Sequence, residues 1–263
     1  TGNRILFPVC VGALILTAGG WERLRLSLEP GKMTRSYFGI YAIRARSDDA
    51  RMLVHGTTIH GVQNRGSEPR ELMPTTYYAP RSGVGLAMAA APRLFGSGAR
   101  IDVVGLGAGT LACYARPGQS WTNYEIDPVV VDIARDPKQF TFLSRCLPNA
   151  RVVVGDARLT LDQAGDGGAD LLVIDAFSSD AIPIHLLTRE AFDVYRRRLS
   201  NRGLLLVHIS NRYLDLNPVL SAAASSRGWS SAMRWYMPAK PDAALNYTGS
   251  QWVALSPSAQ TID

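Results

Sequence analysis

The chain has 263 residues, 46% of them apolar and 19% charged, enough to bury a sizeable core and incompatible with a disordered or fibrous polypeptide. Basic residues exceed acidic ones by 28 to 22, a net charge of +6, but the excess is scattered arginine without a basic stripe or interleaved aromatics, so no nucleic-acid partner is expected. Cys10, Cys113 and Cys146 share no metal-ligand spacing and leave one thiol over in any disulfide scheme, which favours a reducing, cytoplasmic compartment and no metal.

Residues 5–20 (ILFPVCVGALILTAGG) carry no charge. A complete membrane span takes about 20 residues, so this run is short for one. Trp21 follows as an interfacial anchor, with Arg23 and Arg25 as a basic flank. Three readings stand: the tail of a membrane helix, a buried element of the domain, or the apolar core of a signal peptide. In the first, the arginines put the domain on the cytoplasmic face. Residues 21–80 read as a small antiparallel sheet, beginning with the alternation Leu24, Leu26, Leu28 and continuing through SYFGIYAIRAR, ARMLVHG and TIHGVQ. Gly66, Pro69, Pro74 and Pro80 make residues 63–80 a loop that leads into the main domain.

From residue 81 to 263 the period changes, and apolar strands alternate with helices. Strands are expected at 101–104, 121–124, 152–154, 171–174 and 204–209. Helices are expected at 82–91, after Gly109, and at 128–134, 188–199 and 217–227. Such alternation predicts an α/β, Rossmann-like fold, a mainly parallel sheet with helices on both faces. Strands at 233–237 and 251–255 close the chain as an antiparallel edge pair.

The sharpest motif is IDVVGLGAGTLACYA, in which a strand runs into Gly105, Gly107 and Gly109. Glycines at such a turn let the backbone approach a ligand and present amide groups to it. About 20 residues further on, the next strand ends in Glu125, placed to accept both hydroxyls of a ribose. Asp127, followed by Pro128, reads instead as a helix N-cap. The third motif sets Gly155, Asp156 and Ala157 at the mouth of the same crevice. Asp156 there either accepts from the exocyclic amine of adenine or caps the following helix. The fourth, LLVIDAFSSDAIP, ends a strand in Asp175, with Asp180 five residues on. In the strand order 3-2-1-4-5, Asp175 faces the topological switch point where ligands bind.

Together GLGAGT, YEID, GDA and IDAFSSDAIP resemble the S-adenosylmethionine-dependent transferases of the class I methyltransferase fold, and within them the spermidine synthases, which are polyamine aminopropyltransferases. The small N-terminal sheet and the tail LLTREAFDVYRRRL…GLLLVHIS are similar to that family too. The apolar start resembles bacterial proteins in which a spermidine-synthase-like domain follows transporter-like membrane helices. The resemblance implies decarboxylated S-adenosylmethionine as donor, a diamine such as putrescine as acceptor, and a homodimer. It assigns Gly105, Gly107 and Gly109 to the methionine-derived part, Glu125 to the ribose, Asp156 to adenine and Asp175 to deprotonation of the amine. Asp180, Tyr77, Tyr78, His60 and Gln63 fall where the acceptor side of the pocket is expected. Where the family's glycine turn has an acidic residue, this chain has Ala108. A methyltransferase using intact S-adenosylmethionine, or a silent nucleotide-binding domain regulating a fused transporter, are therefore the alternatives.

Overall fold

The computed structural model describes residues 5–29, 32–47, 49–177, 182–211, 214–240 and 244–262. The apolar start is helical: α1 (Leu6–Ile15) leads through a π-helical turn into α2 (Trp21–Leu28). No residue of α1 is buried, and Ile5, Phe7, Leu14, Ile15 and Trp21 stand exposed. The reading of this run as a buried element of the domain is thereby overturned for α1. Among the described residues, no helix is long and apolar enough to cross a membrane. Because α1 contributes nothing to the core, deleting residues 1–20 should leave the thermal midpoint within about 2 °C of the parent. A loss of 5 °C or more, on the order of 1–2 kcal/mol, would show instead that the helix supports the domain.

Residues 21–28 are helical rather than extended. Leu24 and Leu28 share a face at a spacing of four in a helix and also in a strand of period two, so the leucine alternation is ambiguous. Helix is the state in which Arg25 reaches Glu29 one turn on, at 3.2 Å. The small sheet is therefore shorter than expected. It comprises β1 (Met33–Arg35), β2 (Ile40–Ser47), β3 (Ala50–His55) and β4 (Thr58–Asn64), paired antiparallel in that order. Tyr41, Ile43 and Leu53 from it share one apolar core with Leu106, Ala108, Val130 and Phe140 of the main domain. That shared burial fixes the sheet over the glycine turn.

After the short α3 (Glu68–Glu71), the main domain opens with α4 (Gly83–Phe95), capped by Ser82, whose hydroxyl accepts the Gly85 N–H at 3.2 Å. It continues through β5 (Arg100–Val104), β6 (Ser120–Glu125), α5 (Pro128–Arg135), α6 (Phe142–Cys146), β7 (Arg151–Val154), α7 (Ala157–Gln163) and β8 (Ala169–Ile174). Then come α8 (Arg189–Arg198), β9 (Leu199–His208), α9 (Asn217–Ser225), β10 (Ser230–Tyr236) and β11 (Ser250–Ser256). The seven strands lie in the order β10-β11-β9-β8-β5-β6-β7. The five from β5 to β9 are parallel and reproduce the 3-2-1-4-5 order, while β10 and β11 form the expected antiparallel edge. Leu171, Leu172, Val173 and Ile174 of β8 are fully buried. A strand covered by helices on both faces reads as a continuous apolar run for that reason.

The segment after Gly109 makes one 3-10 turn, Thr110–Tyr114, rather than a full helix. A disulfide joins Cys113 in that turn to Cys146 in α6, leaving Cys10 as an exposed free thiol. The pairing corrects the reading of the cysteines as reduced, and with it the argument for a reducing compartment. In the middle of β5, Asp102 is buried and accepts from Arg198 Nε at 2.7 Å. Arg198 Nη1 also donates to the carbonyls of Ala164 and Gly165, at 3.1 and 3.0 Å.

Candidate active site

The site forms where β5 and β8, adjacent and parallel, send their chains in opposite directions. Beyond β5 the backbone turns through Gly105 at φ 92° and Gly107 at φ 52°, conformations that L side chains rarely adopt. Space imposes the same choice: a Cβ on Gly105 would lie 2.3 Å from the Asp175 carbonyl oxygen, and one on Gly107 would lie 2.5 Å from the His60 carbonyl oxygen. The turn is thus threaded between the end of β8 and the small sheet. The Ala108 N–H donates to that same His60 carbonyl at 3.3 Å.

A cavity of about 310 Å³ opens beside the turn, lined among others by Gly105, Gly107, Glu125, Gly155, Ala157 and Asp175. His60, Tyr77 and Tyr78 also line it. Glu125 ends β6 with its carboxylate accepting the backbone N–H groups of Leu106 at 2.9 Å and Asp127 at 3.0 Å. Burial raises its pKa above the ordinary carboxylate value, and those N–H groups oppose the shift. The side chain is therefore a fixed acceptor at the edge of the cavity. Glu125→Gln should weaken binding of an adenosyl ligand about tenfold or more, since hydrogen bonds to a charged acceptor contribute about 1.5–3 kcal/mol. Calorimetric titration checks this, and equal affinity would remove Glu125 from the site.

Other candidates are placed differently. Asp156 caps α7, accepting the N–H groups of Arg158 at 2.9 Å and Leu159 at 3.3 Å, and lies 3.2 Å from His185 Nε2. Its neighbours Gly155 and Ala157, and not Asp156 itself, line the cavity. Asp127 caps α5 through the Val129 N–H at 2.9 Å and accepts from the Ser36 hydroxyl. Gly109, at φ 83°, packs on Leu143 beneath the turn. Gln63 does not reach the cavity: fully buried, it donates to the Glu71 carbonyl at 3.1 Å and exchanges hydrogen bonds with Thr141. Ala108 is fully buried, and a Cβ added at Gly61 would lie 2.6 Å from its Cβ. Asp180 lies outside the described residues.

Asp175, 7% exposed, sits where β8 ends. Tyr78 donates its hydroxyl to one carboxylate oxygen, and His208 Nδ1 lies 2.7 Å from the other. Burial first, then the Asp175 charge, pushes both Tyr77 and Tyr78 well above the ordinary phenol value, so both stay protonated. His208 is the member that motif reasoning passed over, because a lone histidine ending an apolar strand carries no spacing signal. Strand register holds the clue. Ile174 pairs with Val207, so the next residue on each parallel strand, Asp175 and His208, emerges side by side.

Beyond this wall lies a second cavity of about 310 Å³, lined by Thr57, Thr58, Thr76, Ser210, Asn211 and Thr248 together with Tyr77, Phe177 and His208. Tyr77 and Phe177 face both cavities. The arrangement sets one desolvated carboxylate, already oriented by two partners, on the wall of an adenosyl-sized crevice, with its partner His208 facing a second chamber. Such a group is able to receive a proton from a molecule bound in that crevice.

No family model matches the chain. A polyamine aminopropyltransferase from Vibrio vulnificus (strain CMCP6) is 37% identical over 114 residues, which make up 41% of this chain and 37% of that protein. The matched region thus spans little more than a third of that relative's length. A probable spermidine synthase from Corynebacterium glutamicum ATCC 13032 superimposes with a TM-score of 0.62 at 18% identity, covering 85% of this chain and 78% of that one. The spermidine synthase of Thermotoga maritima gives 0.62 at 17% identity, with 88% and 73% covered. A spermidine synthase solved with the transition-state analogue AdoDATO gives 0.63 at 16%, with 88% and 74% covered. The chain therefore has the spermidine synthase fold, a class I methyltransferase-like sheet carrying a small antiparallel sheet, and it shares 114 residues of sequence similarity with a polyamine aminopropyltransferase.

Proposed function

We propose that the chain transfers an aminopropyl group from decarboxylated S-adenosylmethionine to a diamine such as putrescine. The observation that carries this reading is the position of Asp175, a buried carboxylate on the wall of the glycine-lined crevice, held by His208, which faces a second chamber. The sulfonium donor supplies an already activated carbon, so the protein's part is to hold the partners in line and accept a proton. The amine lone pair forms the new C–N bond as the C–S pair returns to sulfur, 5'-methylthioadenosine departs, and the nitrogen gives its surplus proton to Asp175. In this reading Glu125 holds the ribose hydroxyls, the turn at Gly105 and Gly107 faces the methionine-derived part, and Gly155 and Ala157 border the adenine. The similarity to an aminopropyltransferase and the fold shared with a spermidine synthase solved with AdoDATO support it.

The same reading includes a homodimer and attachment of the domain to a membrane. The exposed apolar residues of α1 and α2 support the attachment. The decisive experiment incubates the chain with decarboxylated S-adenosylmethionine and putrescine and measures release of 5'-methylthioadenosine. Methyl transfer from intact S-adenosylmethionine, with no aminopropyl product from any diamine, would replace this reading with the methyltransferase one. Ala108, which stands where the family's turn has an acidic residue, favours that alternative. Tight adenosyl binding with no product at all would leave a silent sensor.

A further inference from the structure

His208 is 3% exposed, and its ring is held between Tyr77 and Trp252, with centroids 4.5 and 4.4 Å away. Phe177 closes a third side at 4.8 Å. A ring packed on three sides by aromatics is fixed in orientation, so each nitrogen has one assigned partner. An ionised Asp175 accepts only, and Nδ1, 2.7 Å from its oxygen, therefore carries the proton. In the neutral ring Nε2 then accepts from the Ser210 hydroxyl at 2.8 Å. The Ser210 oxygen in turn accepts the Gln251 N–H at 2.7 Å. Ser210 borders the second chamber, so Nε2 faces the side from which a proton is able to arrive.

We propose that His208 is a positioning residue that acts through Asp175: its Nδ1–H holds the carboxylate that lines the first cavity, and protonation at Nε2, on the side of the second, switches that carboxylate off. The inference rests on the aminopropyl-transfer reading. With His208 neutral, Asp175 carries an uncompensated negative charge and takes the proton of the attacking amine. With Nε2 protonated from the chamber side, an imidazolium lies against the carboxylate and opposes that transfer, and its charge also repels an incoming ammonium. Among the described residues, the titratable groups facing His208 are Asp175 at the end of β8 and Tyr77 and Tyr78 ahead of α4; Trp252 of β11 and Phe177 do not titrate. The tyrosines stay protonated.

The test compares kcat and KM of the parent, His208→Gln and His208→Ala from about pH 6 to about pH 8, the range in which histidine changes charge. His208→Gln keeps an N–H for Asp175 but takes up no proton. The parent kcat should fall about tenfold toward the acid end, and His208→Gln should lack that fall. His208→Ala should lose about a hundredfold in kcat with the donor KM within about threefold, and the glutamine variant should recover at least tenfold of that loss. Identical pH profiles in parent and His208→Gln, or an alanine variant within about threefold of the parent in kcat, would overturn the proposal.

A second readout needs no turnover. The parent should show a slowly exchanging imidazole Nδ1 proton by NMR that disappears in Asp175→Ala, and its absence from the parent would overturn the pairing. Failure of the aminopropyl-transfer reading would appear separately, as no 5'-methylthioadenosine from the parent with any amine.

Discussion

Asp175→Asn should leave adenosyl-ligand affinity within about threefold of the parent while lowering turnover by about 10²–10⁴, the usual loss when a positioned base is removed. The carboxylate receives two donors, the Tyr78 hydroxyl on one oxygen and His208 Nδ1 on the other. An amide has one oxygen, so its NH₂ group must face one of these donors or turn away from it. The variant consequently loses the proton acceptor and one of the contacts that aim it. Ligand affinity is spared because the adenosyl contacts assigned to Glu125 and to the glycine turn are untouched. Calorimetry for the donor and 5'-methylthioadenosine release for turnover separate the two effects. Turnover within tenfold of the parent would show that Asp175 is not the base.

Arg198→Met should destabilise the fold by about 3–5 kcal/mol, the cost of leaving a buried charge without its partner. Asp102 is 2% exposed, and Arg198 supplies both its ion pair and hydrogen bonds to the carbonyls of Ala164 and Gly165. Burial already raises the Asp102 pKa, with Arg198 the chief opposing influence. Without the arginine the carboxyl is raised further, so the folded variant holds its proton more tightly than the unfolded chain does. Stability of the variant should therefore increase as pH falls through the folded-state pKa, and its deficit should be largest at neutral and alkaline pH. Denaturant titrations at two pH values measure both. A deficit under about 1 kcal/mol would mean that water reaches Asp102 and replaces the guanidinium.

The parallel sheet was legible because β5, β7 and β8 carry short apolar runs followed at once by Gly105, Gly155 and Asp175, while β6 ends in Glu125 and β9 in His208, residues that a sheet covered on both faces places at its rim. The edge pair was legible as two further strands, at 233–237 and 251–255, that close the chain. Period-two reasoning failed at Leu24 and Leu28, where helix and strand predict the same face. It also gave no access to the Cys113–Cys146 link, whose partners lie 33 residues apart and meet only once α6 packs against the turn after Gly109. Gln63 looked like a pocket residue because it follows His60 on β4. The side-chain period of two and the demand of Thr141 for a partner turn it inward instead. Tyr78 was visible as an aromatic, yet its partnership with Asp175 depends on a loop before α4 that no periodicity describes.

The carbonyl of His60, which receives the Ala108 N–H and would collide with any side chain at Gly107, has a consequence for inheritance. A ligand-binding loop usually belongs to the strand and helix that flank it, so its sheet can be recombined with other accessory units. Here one wall of the loop is backbone from β4, and Gly61 on that strand lacks a side chain because Ala108 occupies the space. Change at Gly61, Gly107 or Ala108 must be answered on the opposite side. The two sheets are consequently bound to evolve as one piece: grafting the small sheet onto a different nucleotide domain would carry half of the glycine turn's mould away with it.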